Sequence, residues 1–388
     1  VPRVSPDEAR GDLSLGIDSG STTTKLVLVD RDGRLVAHAY EMNRGEPLDA
    51  CRRGLETLRR AFAGCGDPAV GAAAATGYGE DLVRAAFGID RGLVETEAHL
   101  RAARALAPDA SFVLDIGGQD MKALFVRRGT LDRIDVNEAC SSGCGTFLQT
   151  FAEGLSLTSE QLADAACRSR APRDLGSRCT VFMNSMVKQA LREGAGLEDI
   201  AAGLAYSVAR NCLQKVLKLR DFDALGDTIV AQGGTFLNPA VHRAFEILTG
   251  RRVICPDQAG LAGAWGAALH ARDAAAASSQ PARVLSSFVV PAVRRRRSSR
   301  CGGCDNRCAV TLVDFEAAGR HVTGNRCERV YHSGRGAAAR PGINHLAAEL
   351  DLLLQRPHRP SDRPPRQRVG LPLALGTYEN LPFGTSLL

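Results

Sequence analysis

The chain has 388 residues, 44% of them hydrophobic and 24% charged, an ordinary composition for a globular protein of two or three domains. No apolar stretch reaches transmembrane length and no signal peptide precedes the first strand, which argues against a membrane protein and makes the cytoplasm the expected compartment. The net charge of +6 is uneven: residues 1–280 hold 32 Lys and Arg against 35 Asp and Glu, whereas residues 281–388 hold 17 against 8. That basic excess, around Arg294 to Arg297 and Arg356 to Arg368, lacks interleaved aromatics and reads as a solvated linker, not a nucleic-acid surface.

Leu13 to Ile17 is the first predicted strand. It runs into Asp18-Ser19-Gly20-Ser21-Thr22-Thr23-Thr24-Lys25, a D-x-G-x-x-x-x-K pattern, and a second apolar run, Leu26 to Val29, follows. Residues 49–63 carry Leu55, Leu58 and Phe62 at helical spacing. Val70 to Ala75 reads as a buried strand ending in Thr76-Gly77-Tyr78-Gly79, with helices expected over Glu80 to Phe87 and Glu97 to Leu106. The opening pattern then returns. Phe112 to Leu114 leads into Asp115-Ile116-Gly117-Gly118-Gln119-Asp120-Met121-Lys122, followed by Ala123 to Val126. Glycines at such turns let backbone N–H groups approach an anion. A carboxylate at the start of each loop suits a hydrated Mg²⁺. Two such loops, face to face, would hold a nucleotide's phosphates from both sides.

Residues 138–220 read as mostly helical, with helices starting near Cys140 to Gly145, near Cys179, and over Leu197 to Leu219. A short strand, Thr228 to Ala231, ends in Gln232-Gly233-Gly234, where paired glycines before a helix (Ala240 to Leu248) allow a flat purine to approach. Gly260 to Ala268 reads as a small-residue helix packed tightly on a neighbour, and the Ala/Ser-rich stretch to Gln280 as a domain edge.

Twelve cysteines in a chain of this kind argue for metal ligation or redox work over a disulfide framework. Cys140 and Cys179 both fall at predicted helix N-termini, where a thiolate or an anionic cluster is stabilised. Two thiolates per chain, against four per Fe–S cluster, suggest a homodimer sharing one cluster. Small buried packing residues are the alternative. Cys301, Cys304, Cys308 and Cys327 form a second set, with a C-x-x-C pair, that fits Zn²⁺ or an Fe–S cluster. Cys51, Cys65, Cys167, Cys212 and Cys255 read as packing residues.

Taken together, Leu15 to Lys25, Ala75 to Gly79, Asp115 to Asp120, Asn137 to Gly145, Cys179 to Phe182 and Gly233-Gly234 resemble the ATP-dependent activators of 2-hydroxyacyl-CoA dehydratases, relatives of benzoyl-CoA reductase ATPase subunits. The resemblance covers about residues 13–270. It implies an α/β, actin-like (ribonuclease-H-like) two-lobe ATPase. In that picture Asp18 and Asp115 hold Mg²⁺ through water, with Gly20, Ser21, Thr22, Thr23, Gly117 and Gly118 around the phosphates of ATP. Gly233 and Gly234 lie against adenosine, Lys25 and Lys122 are candidates to meet phosphate, and Gln119 to orient water. It further implies that Cys140 and Cys179 of two protomers hold one bridging 4Fe–4S cluster. A ferredoxin or flavodoxin would be the donor, and a dehydratase or reductase component, possibly on the same longer chain, the partner.

The expected organisation is a module over 13–272 with lobes 13–137 and 138–272, a basic linker over 273–300, a Cys-rich segment over 301–330, and a linker with the start of a dehydratase-like domain over 331–388. Cys144 and the Cys301 to Cys327 set depart from the simple activators and resemble longer, multi-domain relatives. The opening Val1, and the apolar run Val369 to Leu375 near the end, add to the expectation of a piece of a longer chain. Two rival readings remain: a small-molecule, sugar-type kinase on the same fold that recruits Asp120, and a non-catalytic module with structural zinc at Cys301 to Cys327.

Overall fold

A computed structural model describes residues 1–89, 91–137, 143–219, 222–275, 281–302, 306–316 and 319–324, with residues 348, 349, 351, 352, 370 and 380 beyond. Val1–Arg297 and Leu312–His321 form one compact unit, and a second begins at Ser298. Cys140, Cys304 and Cys327 lie outside the described residues.

The first unit is built on two sheets of the same plan. In the first, β1 (Leu13–Ser19), β2 (Thr23–Val29) and β3 (Leu35–Met42) form an antiparallel meander. After α1 (Pro47–Ala61), β4 (Ala69–Thr76) pairs parallel to β1. Then come α2 (Glu80–Phe87), the short β5 (Arg91–Gly92) beside β4, and α3 (Glu95–Leu106). The second sheet repeats the plan: β6 (Phe112–Ile116), β7 (Met121–Arg127) and β8 (Thr130–Asn137) form a meander. Four helices follow, α4 (Gly145–Gly154), α5 (Ser159–Arg168), α6 (Thr180–Arg192) and α7 (Leu197–Arg210), and then β9 (Ile229–Gln232) pairs parallel to β6. The chain closes the second sheet with α8 (Pro239–Thr249) and β10 (Val253–Ile254), and returns with α9 (Ala262–Ala275) and β11 (Arg283–Val284), an edge strand on β4.

The central strands carry the core. All seven residues of β1 are buried, as expected of a strand covered on both faces. In α1, Leu48, Cys51, Leu55 and Leu58 form the inward stripe. A capping box between Thr158 and Gln161 starts α5. Asn238 caps α8 by accepting from Ala240 and Val241, with Pro239 in the first turn.

Several expectations shift. The sheets divide between Leu106 and Phe112, not at 137/138, because β6 pairs with β9 across more than a hundred residues and that pairing leaves no local trace in the sequence. Helix α9, inside the range expected for the second lobe, packs on the first sheet: a Cβ at Gly16 of β1 would lie 2.0 Å from the Ala264 carbonyl oxygen. The stretch expected as a linker contributes β11 and the buried Leu285 and Phe288 to the first-sheet core. The helix expected over Leu197 to Leu219 leaves α geometry after Arg210 and continues as a wider π turn over Asn211–Val216. Helix α3 begins at Glu95, two residues earlier than expected.

The β2–β3 turn gives a test of the fold. Asp30 is fully buried and accepts from the Asp32 and Arg34 backbone N–H groups at 3.0 and 2.9 Å and from the Arg34 guanidinium. Burial pushes this carboxyl up, but the Arg34 hydrogen bonds and charge outweigh it and hold Asp30 below the usual carboxylate range. A depressed carboxyl stabilises the fold above its unfolded pKa of about 3.9, and that contribution is lost as pH falls through the lower folded value. Asp30→Asn is expected to cost roughly 2 kcal/mol at pH 7, with the deficit shrinking below pH 4. Urea midpoints at pH 7 and 3 check it; an equal deficit at both would refute the assignment.

Candidate functional site: a cleft between two phosphate loops

Each meander presents its D-x-G loop at the same place and closes it by the same bond. Gly20 N–H donates to the Thr23 carbonyl at 2.9 Å, and Gly117 N–H donates to the Asp120 carbonyl at 2.9 Å. The register matches too, with Asp18 opposite Lys25 and Asp115 opposite Lys122. The loops face each other: a Cβ at Gly118 would lie 3.1 Å from Thr22 Oγ1. Between them is a cleft of about 440 Å³. Gly20, Ser21, Thr22, Thr23 and Lys25 line one side of it, and Gly117, Gly118, Gly233 and Gly234 the other.

The equivalence extends to the parallel neighbours. Asp18 pairs across to Thr76, and Asp115 to Gln232. Each partner is followed by a glycine at positive φ, Gly77 at 88° and Gly233 at 91°. A Cβ at Gly77 would sit 2.6 Å from Asp18 Oδ1, and one at Gly233 2.6 Å from Asp115 Oδ1. Both positions therefore need glycine twice over, for their backbone angle and for room beside a carboxylate. Gly234, expected against adenosine, faces Tyr40 of the first sheet, whose hydroxyl would lie 3.0 Å from a Cβ there. Gln119 is exposed and is not among the residues lining the cleft.

Asp18 and Asp115 are nearly fully buried. Lys25 donates to Asp18 Oδ2 at 3.0 Å, while Asp18 Oδ1 is buried with no hydrogen-bond partner among the described residues. Lys122 pairs with Asp120, and with Glu95 at 3.1 Å. Burial alone would lower both ammonium pKa values. Asp18, Tyr40 and Asp115 around Lys25, and Asp115, Glu95 and Asp120 around Lys122, outweigh it and hold both lysines above the ordinary range. Four carboxylates, Asp18, Glu95, Asp115 and Asp120, thus stand around the Lys25 and Lys122 ammonium groups, and Glu160 is a further carboxylate in the cleft lining. The formal excess of two negative charges around the two ammonium groups and the orphaned Asp18 oxygen fit one divalent cation, as the Mg²⁺ expectation requires.

Sequence reasoning missed the roles of four residues here. Glu95 and His99, one turn apart on α3, reach the Asp115 carboxylate, with His99 Nε2 3.6 Å from its Oδ2. Gln232 holds the ring from the far side, its Oε1 2.8 Å from His99 Nδ1 and its Nε2 donating to the His99 carbonyl at 3.2 Å. Asn43 braces the first loop, donating to the Gly20 carbonyl at 2.7 Å and accepting from Thr24. The Glu-x-x-x-His spacing on a helix was the available signal for the first two, and nothing local marks Asn43.

Helix α4 is fastened to the second loop. Gly145 N–H donates to the Gly117 carbonyl at 3.0 Å, and Thr146 donates to the Gly118 carbonyl through its N–H at 2.9 Å and its hydroxyl at 2.8 Å. Of the cysteines at helix starts, Cys179 is exposed at the N-terminus of α6, followed by exposed Val181 and Phe182. Cys144, the N-cap residue of α4, is fully buried in the core. Burial pushes Cys51 up to about 12 and Cys255 up to about 11, and Cys212 is buried beside Cys144, all consistent with packing. Cys65 and Cys167, expected to pack, are exposed instead. Of the second cysteine set, Cys301 and Cys308 are brought together by a 2.8 Å bond from the Cys301 N–H to the Cys308 carbonyl.

Residues 15–271 match the model of the BadF/BadG/BcrA/BcrD ATPase family. The (R)-2-hydroxyglutaryl-CoA dehydratase activating ATPase of Acidaminococcus fermentans is 32% identical over 264 residues, which are 68% of this chain and 98% of that protein. The 2-hydroxyisocaproyl-CoA dehydratase activator of Clostridioides difficile is 31% identical over 263 residues, covering 68% of this chain and 96% of the relative. A solved structure of the activator of 2-hydroxyisocaproyl-CoA dehydratase from Clostridium difficile, with bound ADPNP, aligns with a TM-score of 0.59 at 28% identity, over 68% of this chain and 96% of that one. The paired sheets and facing loops are those of the actin-like, ribonuclease-H-like two-lobe ATPase fold. No helix among the described residues is long and apolar enough to cross a membrane.

Proposed function

Because the chain belongs to the BadF/BadG/BcrA/BcrD ATPase family and is an ATPase, we propose that it is an iron–sulfur activator that couples ATP hydrolysis to delivery of a low-potential electron. The acceptor is a 2-hydroxyacyl-CoA dehydratase or a benzoyl-CoA-reductase-like component. Each cycle takes one electron from a reduced ferredoxin or flavodoxin and leaves it on the partner, while ATP and water become ADP and phosphate. Asp18 and Asp115 hold Mg²⁺ against the phosphates, and the backbone N–H groups of the two loops cradle them. A 4Fe–4S cluster, held by Cys140 and Cys179 from each of two protomers, supplies one-electron storage whose potential depends on exposure and hydrogen bonding.

The observation that carries this reading is the fastening of α4 to the second phosphate loop through Gly145 and Thr146. Whatever moves that loop pulls on the start of α4, five residues after Cys140. The occupant of the cleft is thereby linked to the helix that follows Cys140 in the sequence, and domain closure around a nucleotide would act on it. Exposed Val181 and Phe182 beside Cys179 offer an apolar face on which a second copy would bring its own thiol. Asp120, which the kinase reading would recruit, is engaged by Lys122.

Anaerobically purified Cys179→Ser is expected to lose about two Fe per chain relative to wild type, along with the nucleotide-sensitive paramagnetic signal of the reduced protein, while still binding ATP. Iron, acid-labile sulfide and electron paramagnetic resonance read it out. A variant that keeps both its iron and its electron transfer would sink the proposal.

A further inference from the structure

We propose that Glu95, His99 and Asp115 form a direct divalent transition-metal site that selects against Mg²⁺ and is complete before nucleotide binds. One oxygen from each carboxylate and the imidazole nitrogen lie within 4.8 Å of one another, with His99 Nε2 3.6 Å from Asp115 and 4.0 Å from Glu95. Bound to one ion they would stand about 3 Å apart, a contraction of up to about 2 Å that side-chain rotation supplies. This site differs from the expected water-mediated Mg²⁺ position in having a nitrogen ligand, although it shares Asp115.

The ring's setting argues for a metal. Gln232 donates to the His99 carbonyl through its Nε2, which turns its Oε1 toward His99 Nδ1 and makes Nδ1 the protonated nitrogen. In the neutral ring, Nε2 then presents a lone pair to two carboxylates. A lone pair facing anions is repulsive unless a proton or a metal cation stands between them, and a ligating histidine anchored through its other ring nitrogen is the usual arrangement at metal sites. The Asp18 carboxylate, buried beside the three ligands, adds to the negative surroundings that favour a cation here. Lys122, 3.1 Å from Glu95, satisfies part of that carboxylate's charge and caps the site on one side. Glu95 is pushed up by burial and by Asp18, and drawn down by Lys122. Imidazole with carboxylates favours first-row transition ions over Mg²⁺, with Mn²⁺ the weakest binder of that series and hence the most stringent probe.

The test uses the full chain, nucleotide-free, with Mn²⁺ as the ion. Loss of the free-ion resonance is expected at one Mn²⁺ per chain and is expected to persist in a hundredfold excess of Mg²⁺. Pulsed electron paramagnetic resonance should show nitrogen coupling from a directly bound imidazole. Gln232→Met should weaken Mn²⁺ binding by about 10–100-fold, and His99→Gln should abolish the nitrogen coupling. Absence of that coupling in wild type, displacement by equimolar Mg²⁺, or Mn²⁺ binding only when ATP is present would each overturn the proposal. Binding of a fluorescent ATP analogue with Mg²⁺ in the same samples keeps the two readings apart: nucleotide binding without nitrogen-coupled Mn²⁺ removes the metal site alone, and the reverse removes the nucleotide cleft alone.

Discussion

Asp18→Asn is expected to reduce ATP turnover at least about 10²-fold, because it removes a charge from the one place where the fold has arranged to need it. The carboxylate is 2% exposed. Its Oδ2 accepts from Lys25, and its Oδ1 has no partner among the described residues. The amide keeps the shape but offers no second anionic oxygen to a cation, and it leaves Lys25 facing a neutral group. That second effect is separable. A buried ammonium stripped of its partner lowers stability as well as activity. Replacing it too, in Asp18→Asn with Lys25→Met, is expected to restore much of the stability and none of the turnover. Single-turnover hydrolysis and urea denaturation on both variants check the pair. Turnover by Asp18→Asn within a few-fold of wild type would mean that Asp18 is structural and that the cation sits elsewhere.

The second large effect is steric, and two principles disagree about its sign. Gly266 lies inside α9, where alanine should stabilise a helix by about 1 kcal/mol. A Cβ at this position, however, would lie 1.8 Å from the Ala98 carbonyl oxygen of α3 and 2.6 Å from its carbon. Those are backbone atoms, which cannot swing aside as a side chain would. Overpacking a tight core costs about 1–3 kcal/mol, and a backbone clash stands at the upper end, so Gly266→Ala is expected to destabilise the protein. Because α3 carries Glu95 and His99, the shift should reach the cleft and weaken ATP binding as well. A raised urea midpoint would show that the two helices separate freely and that the close approach is incidental.

The phosphate loops were legible because their chemistry is local. Asp18-Ser19-Gly20 and Asp115-Ile116-Gly117 each signal turn, anion and cation within a few residues, and the structure closes both by the same bond. What surrounds them was not legible. Glu95 and His99 come from α3, Gln232 from the end of β9 and Asn43 from beyond β3, so their meeting depends on long-range pairing that no sequence window contains. Placing the start of α3 at Glu97 cut Glu95 out of view. The extent of the repeat was underestimated for the same reason. Thr76-Gly77 and Gln232-Gly233 are equivalent only once β4 and β9 are seen beside β1 and β6. Small residues around Gly263 and Gly266 announced a close helix contact without naming α3 and the first sheet as the neighbours.

The two cleft lysines have a chemical consequence. Thioesters acylate amines, and only the unprotonated amine attacks a carbonyl carbon. Lys25 and Lys122, held protonated by the carboxylates around them, are poor nucleophiles at any physiological pH. Lys188 and Lys215, by contrast, are exposed to solvent. In a solution rich in reactive acyl-CoA, modification would therefore accumulate on the outer helices first, and the same ion pairs that assemble the cleft would keep its ammonium groups chemically intact.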